Sequence, residues 1–149
     1  MDLVEVAEEA ISLLRPLMEE KKLTLKLDLQ PTVIPGDRDR IGQVVTNLVS
    51  NSIQYNCEEG WIDVKVGQCD GHAVLSVADT GAGISKLDQP HVFERFFRSD
   101  AARSRESGCG TGLGLAITKW IVDAHGGRIP FRSEPEAGTG FTVRLKLED

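Results

Sequence analysis

The chain has 149 residues, 40% of them hydrophobic and 27% charged, with a formal net charge of −6 and three cysteines. That size suits one domain with its own core, and the acidic balance argues against a nucleic-acid footprint. No apolar run approaches the roughly 20 residues of a membrane span, the acidic start "MDLVEVAEEA" is not a signal peptide, and Cys57, Cys69 and Cys109 frame neither a disulfide scaffold nor a zinc site.

Residues 2–22 place Val6, Ala10, Leu13, Leu14, Leu17 and Met18 at helical spacing. "LTLKLDL" (23–29) alternates strictly, as a strand with one wet face does. "IPGDRDR" then breaks the chain, and Asp37 or Asp39 is placed to cap a helix over 38–56 with apolar residues at 41, 44, 45, 48, 49 and 53. "WIDVKV" and "HAVLSVAD" alternate on either side of "GQCDG", whose Asp70-Gly71 pair signals a hairpin. From 80 to about 110 the chain is rich in Gly, Ser, Arg and Asp, with one aromatic island, "FERFF". A stretch of that length without a regular element is commonly functional inside a compact domain. A helix follows over 112–125, ended by Gly126-Gly127. "GRIPFRSE" and "GFTVRLKLE" close the chain as strands, Pro130 marking the first as an edge or bulged strand. The expected order is α-β-β-α-β-β-lid-α-β-β. Alternating strands joined by hairpins make a two-layer α+β sandwich, its mainly antiparallel or mixed sheet wet on one face and covered by helices on the other. The chain reads as one domain over 1–149, with a lid at approximately 84–110 as an insertion.

Several residues are not what a core alone asks for. Asn47 and Asn51 stand at i and i+4 of the 38–56 helix, with Tyr55 continuing the row. They form either a solvated stripe or a pair of amide oxygens offered to a hard cation such as Mg²⁺. Asp79 falls on the apolar face of Ala73, Leu75 and Val77. It either opens an Asx-turn into "DTGAG" or accepts a hydrogen bond at the floor of a pocket, where Gly81 and Gly83 let a flat ligand lie against the backbone. Arg95, Arg98, Arg103 and Arg105 form a solvated surface from which one or two can reach a terminal phosphate. Phe93, Phe96 and Phe97 form a hydrophobic anchor for the lid. The glycines of "ESGCGTGLGLAITKW" fit neither a P-loop nor a dinucleotide fingerprint, which leaves a flexible turn or a third kind of phosphate loop at a helix N-terminus.

Taken in order, "NLVSNSIQYN", "DTGAGI", "FERFFR", "GTGLGLAI" and "GTGF" resemble the N, G1, F, G2 and final boxes of the ATP-binding catalytic domain of sensor histidine kinases. That domain shares its Bergerat-type fold with DNA gyrase, mismatch-repair ATPases and heat-shock chaperones. The resemblance spans nearly the whole chain, and the F box narrows it to the kinase branch. It implies that Asp79 accepts the adenine amino group, with Thr139 supporting a bridging water. It further implies that Gly81, Gly83 and Ile84 line the adenine slot and that Tyr55 packs on the base. Asn51, with Asn47 close by, would hold Mg²⁺. Gly110, Thr111, Gly112, Leu113 and Gly114 would cradle the phosphates of ATP or ADP, and Arg98 would steady the terminal one. Gln54 departs from the pattern, standing where Lys is frequent, and so does Cys57, where Thr or Pro is usual.

The function so implied is to supply the ATP γ-phosphoryl group to a His on a separate dimerisation domain, and through it to a response regulator receiver domain. None of His72, His91 or His125 has the context of such a phosphoacceptor, so the expectation is a monomeric cytoplasmic fragment of a homodimeric kinase whose parent is anchored in the inner membrane or free of it. Two other readings compete. Stand-alone anti-sigma-type serine kinases have about this length, but they carry a Glu where this chain has Asn47, because a serine hydroxyl must lose a proton. The other is a nucleotide-binding interaction module without transfer activity.

Overall fold

The computed structural model describes residues 1–81, 83, 86–87, 89–93, 114–134 and 138–147. Among these residues three helices, α1 (Leu3–Glu20), α2 (Arg38–Gln54) and α3 (Gly114–Ala124), lie against a five-stranded sheet of β1 (Thr24–Leu29), β2 (Trp61–Cys69), β3 (His72–Asp79), β4 (Phe131–Glu134) and β5 (Gly138–Lys146). Strand order is β1-β2-β3-β5-β4, with β1 parallel to β2 and every other pair antiparallel. The mixed sheet and two layers expected from the strand alternation are therefore present.

Period two explains the core. Ile62, Val64 and Val66 of β2, Ala73, Leu75 and Val77 of β3, and Phe141, Val143 and Leu145 of β5 are all buried on one face. Helix α2 packs between α1 and α3 and buries Ile41, Val44, Val45, Leu48, Val49 and Ile53 over that face. Asp70 (φ 51°) and Gly71 (φ 77°) are both left-handed, as a two-residue hairpin turn requires. Asp37 caps α2 by accepting from the N–H groups of Asp39 (2.9 Å) and Arg40 (3.2 Å).

One expected strand is missing. Between β1 and α2 only Val33 forms a bridge, to Asp2. Pro31 and Pro35 supply no N–H for a ladder, so the segment docks on the start of α1 through Leu3 N–H to Thr32 O (2.8 Å) and Ile34 N–H to Met1 O (3.0 Å). Pro130 lies, as expected, beside the edge strand. The Arg128–Arg144 bridge and the Phe131–Phe141 pair keep one register across it, so no bulge forms, and the Pro130 carbonyl still accepts from Thr142 N–H at 2.9 Å.

Phe93, after a 3₁₀ turn at Gln89–His91, packs edge-on against Phe131 and Phe141 with centroids 5.8 and 6.1 Å apart. That is the anchoring expected of the first phenylalanine; Phe96, Phe97 and most of the 84–110 segment lie outside the described residues. Among the described residues no helix is long and apolar enough to cross a membrane.

The Asp37 cap yields a first prediction. Asp37→Ala should cost about 1 kcal/mol in chemical denaturation and leave ligand affinity unchanged, because the lost bonds sit at the end of α2 remote from Asn51 and Tyr55.

Candidate functional site

The polar residues singled out in the sequence converge where α2 ends beside the end of β3. Asp79 is the last residue of β3 and only 8% exposed. Its Oδ1 accepts from Gly81 N–H at 2.8 Å, and its carboxylate also takes hydrogen bonds from the Ser52 hydroxyl and the backbone N–H of Thr139, its cross-strand neighbour. Burial pushes the Asp79 pKa above the ordinary carboxylate range; the bonds from Gly81, Ser52 and Thr139 oppose that shift without cancelling it. The group is thus an acceptor held at some cost in the fold.

Sequence reading did not find Ser52. Its signal is a hydroxyl in the buried stripe of α2, between Val49 and Ile53, at 2% exposure. A buried hydroxyl needs a partner, and Asp79 is that partner.

Gly81 answers a close approach of a different kind from the one expected. A Cβ there would collide with the Tyr55 carbonyl, so the glycine lets the loop after β3 touch the C-terminal end of α2. Gly83 has φ 74°, which favours glycine outright. Gly138 (φ 101°) plays the matching part on the other side, where a Cβ would run into the Asp79 carbonyl. Beside it the Thr139 hydroxyl lies 3.0 Å from Ser133 Oγ. Tyr55 caps α2, its N–H bonded to the carbonyls of Asn51 and Ile53.

Asn47 and Asn51 are both half-buried on α2. The Asn47 Nδ2 donates to the Gly114 carbonyl (3.2 Å) and to Thr118 Oγ1 (3.3 Å), joining α2 to the first turn of α3. Its Oδ1, and the whole Asn51 amide, make no hydrogen bond among the described residues. Also among them, no cluster of three or more His, Cys, Asp or Glu side chains is placed to hold a metal ion. Neutral amide oxygens of this kind suit a hard ion whose remaining ligands come from water and phosphate. Gly114 is exposed at the start of α3. Ile84, Arg98, Gly110, Thr111, Gly112 and Leu113 lie outside the described residues, as do Arg95, Arg103 and Arg105.

Residues 36–149 match the family described as histidine kinase-, DNA gyrase B- and HSP90-like ATPase. The chain belongs to that family. Its relatives include the sensor histidine kinase YkoH of Bacillus subtilis, 38% identical over 149 residues, covering 100% of this chain and 32% of the relative. The signal transduction histidine-protein kinase BaeS of Escherichia coli is 39% identical over 149 residues, covering 99% of this chain and 32% of the relative. Among solved structures, the mycobacterial sensor histidine kinase MprB superposes with a TM-score of 0.84 at 31% identity, covering 97% of this chain and 95% of that one. The catalytic domain of the histidine kinase ThkA, in a nucleotide-free form, reaches 0.82 at 25% identity, covering 99% and 95%. The chain spans about a third of the length of the curated relatives it matches. It is thus an ATP-binding domain of the histidine-kinase type, and Asp79, Ser52 and the two asparagines sit within the ATPase-family match.

The Asp79 carboxyl has a raised folded pKa, so its contribution to stability is fully present below the unfolded carboxylate pKa and is lost as pH rises through the folded value. Where Asp79 is ionised, the wild-type ATPase domain carries a buried charge that Asp79→Asn removes. Thermal melts without ligand should show the variant more stable than wild type at pH 7, with the gap closing as pH falls into the acid carboxylate range. A gap that widens on acidification would contradict the assignment.

Proposed function

We propose that this domain binds Mg-ATP between α2, α3 and the ends of β3 and β5, and presents the γ-phosphoryl group to a His on a dimerisation domain of the same kinase. The observation that carries the reading is the Asp79 carboxylate, buried at the end of an apolar strand face and fixed by Gly81, Ser52 and Thr139. An exocyclic adenine amine is the donor such an acceptor suits. Gly81, Gly83 and Ile84 would line the slot, Tyr55 would pack on the base and Thr139 would hold a water beneath it. The segment Gly110–Gly114, leading into α3, would offer its N–H groups to the phosphates, and Arg98 would meet the terminal one.

Asn51 and Asn47 would hold Mg²⁺, which when bound neutralises phosphate charge during transfer. In the transfer itself a neutral imidazole nitrogen attacks the γ-phosphorus with its lone pair, the bond from that phosphorus to the bridging oxygen breaks, and ADP leaves. No general base is needed before attack. This agrees with Asn47, whose amide nitrogen donates to Gly114 and Thr118 and which has no carboxylate to deprotonate a serine. From the phosphohistidine the group would pass to an Asp of a response regulator receiver domain. The fragment is read as a monomer on the cytoplasmic side and its parent as a homodimer.

Calorimetric titration with ADP and a non-hydrolysable ATP analogue, each with and without Mg²⁺, tests the pocket. Asp79→Asn should weaken both ligands at least about 100-fold, since an acceptor built for one donor is replaced by an amide. Asn51→Ala should abolish the Mg²⁺ enhancement while base binding persists. Addition of a separately made dimerisation domain should yield Asn51-dependent phosphohistidine. Tight nucleotide binding without transfer would favour the interaction-module reading, and no binding by folded protein would overturn the pocket.

A further inference from the structure

A polar knot braces the turn between the end of α2 and β2, beside Tyr55 and Asp79. The Lys21 ammonium, in the turn after α1, donates to the carbonyls of Ile53 (2.7 Å), Gln54 (2.9 Å) and Asn56 (3.3 Å). Three donor protons meet three carbonyls at the negative end of α2, a helix with no basic residue in its own last turn. The same turn is pinned from below: Glu59 N–H donates to the Lys21 carbonyl at 3.0 Å, and Thr24 N–H to the Gly60 carbonyl at 2.9 Å.

Asn56 carries the brace onward. It is 2% exposed, and its Nδ2 donates to the Trp61 carbonyl at 3.1 Å. Its Oδ1 accepts from Cys57 N–H (2.9 Å) and from the Thr80 hydroxyl (3.0 Å), which in turn accepts from Trp61 N–H at 3.0 Å. Asn56, Trp61 and Thr80 thus close a ring of hydrogen bonds over Gly60, where an added Cβ would strike both Asn56 Oδ1 and Thr80 Oγ1. The placement in the chain gives the ring its consequence. Asn56 directly follows Tyr55, and Thr80 stands between Asp79 and Gly81. One side of the knot therefore holds the α2 wall of the adenine slot and the other holds its acceptor floor.

We propose that Lys21, Asn56 and Thr80 are positioning residues that fix the width of the adenine slot and so set the preference for adenine over guanine. This rests on the nucleotide reading given above. The chemistry is direct. Adenine offers an amine to the Asp79 carboxylate, whereas guanine in the same pose presents a carbonyl oxygen, lone pair to lone pair. That rejection lasts only while the base cannot slide or turn to offer guanine's own amine, which requires walls that do not give.

The test is titration of ADP and GDP, with and without Mg²⁺, into wild type, Lys21→Met and Thr80→Val, with Lys21→Arg and Thr80→Ser as conservative partners and melting temperatures recorded for all. Lys21→Met and Thr80→Val should each weaken ADP about tenfold while GDP changes little, so that the ADP-to-GDP ratio falls by a similar factor. The Mg²⁺ enhancement should be unchanged, because the asparagines that serve it lie higher on α2. The conservative variants should restore the ratio. Gly60→Ala keeps every donor and acceptor but pushes the ring apart; if Lys21→Met or Thr80→Val does not fold, Gly60→Ala should show the same loss of selectivity. A wild type that binds ADP alongside folded variants whose ratio stays within about twofold overturns this proposal alone. So does a loss of Mg²⁺ enhancement in step with selectivity, which marks general loosening. A wild type that takes neither nucleotide overturns the site reading and this proposal with it.

Discussion

The contact on which the site depends is the one between the C-terminal turn of α2 and the loop leaving β3. It is so close that the Tyr55 carbonyl leaves no room for a side chain at position 81. Because the two elements touch there, Ser52 on the last turns of α2 reaches a carboxylate that belongs to the sheet. Further up the same helix, Asn47 reaches across to the start of α3. The core sets up this geometry: Val45, Leu48, Val49 and Ile53 seat α2 on β2 and β3, leaving little freedom in where its last turn arrives.

Charge is distributed along α2 in a way that serves the same end. Asp37 meets the free N–H groups at its beginning, and Lys21, from a different part of the chain, meets the free carbonyls at its end. Between them Asn47 and Asn51 stand as neutral amides, half-buried on the helix. Asp79, at the end of β3, is buried against Ser52, Gly81 and Thr139. Its unfavourable burial is of the kind that functional sites retain at the expense of stability.

How far the sequence revealed all this depended on distance along the chain. The period-two row in "HAVLSVAD" was enough to put Asp79 on the core face, and Asp70-Gly71 was enough to make the hairpin, because both signals are local. The i, i+4 spacing likewise placed Asn47 and Asn51 on one face. What could not be read were partners 20 to 70 residues away: Ser52 with Asp79, Lys21 with the end of α2, Asn47 with Gly114. Ser52 and Lys21 looked ordinary, and Asn47, though singled out by its spacing, gave no sign of its partner until the fold brought it alongside. The extra strand expected before α2 failed for a reason that was visible, since Pro31 and Pro35 remove the N–H groups a ladder needs.

The two borders of the sheet have a consequence for how copies of this domain pack together. An open sheet ends in unpaired backbone groups, and a second copy can add its own strand there. Along the β4 side the border strand is only four residues long. Along the β1 side Lys26 and Asp28 stand exposed on the strand. Neither border is an inviting template for a neighbour. Two copies brought together would therefore not readily zip sheet to sheet.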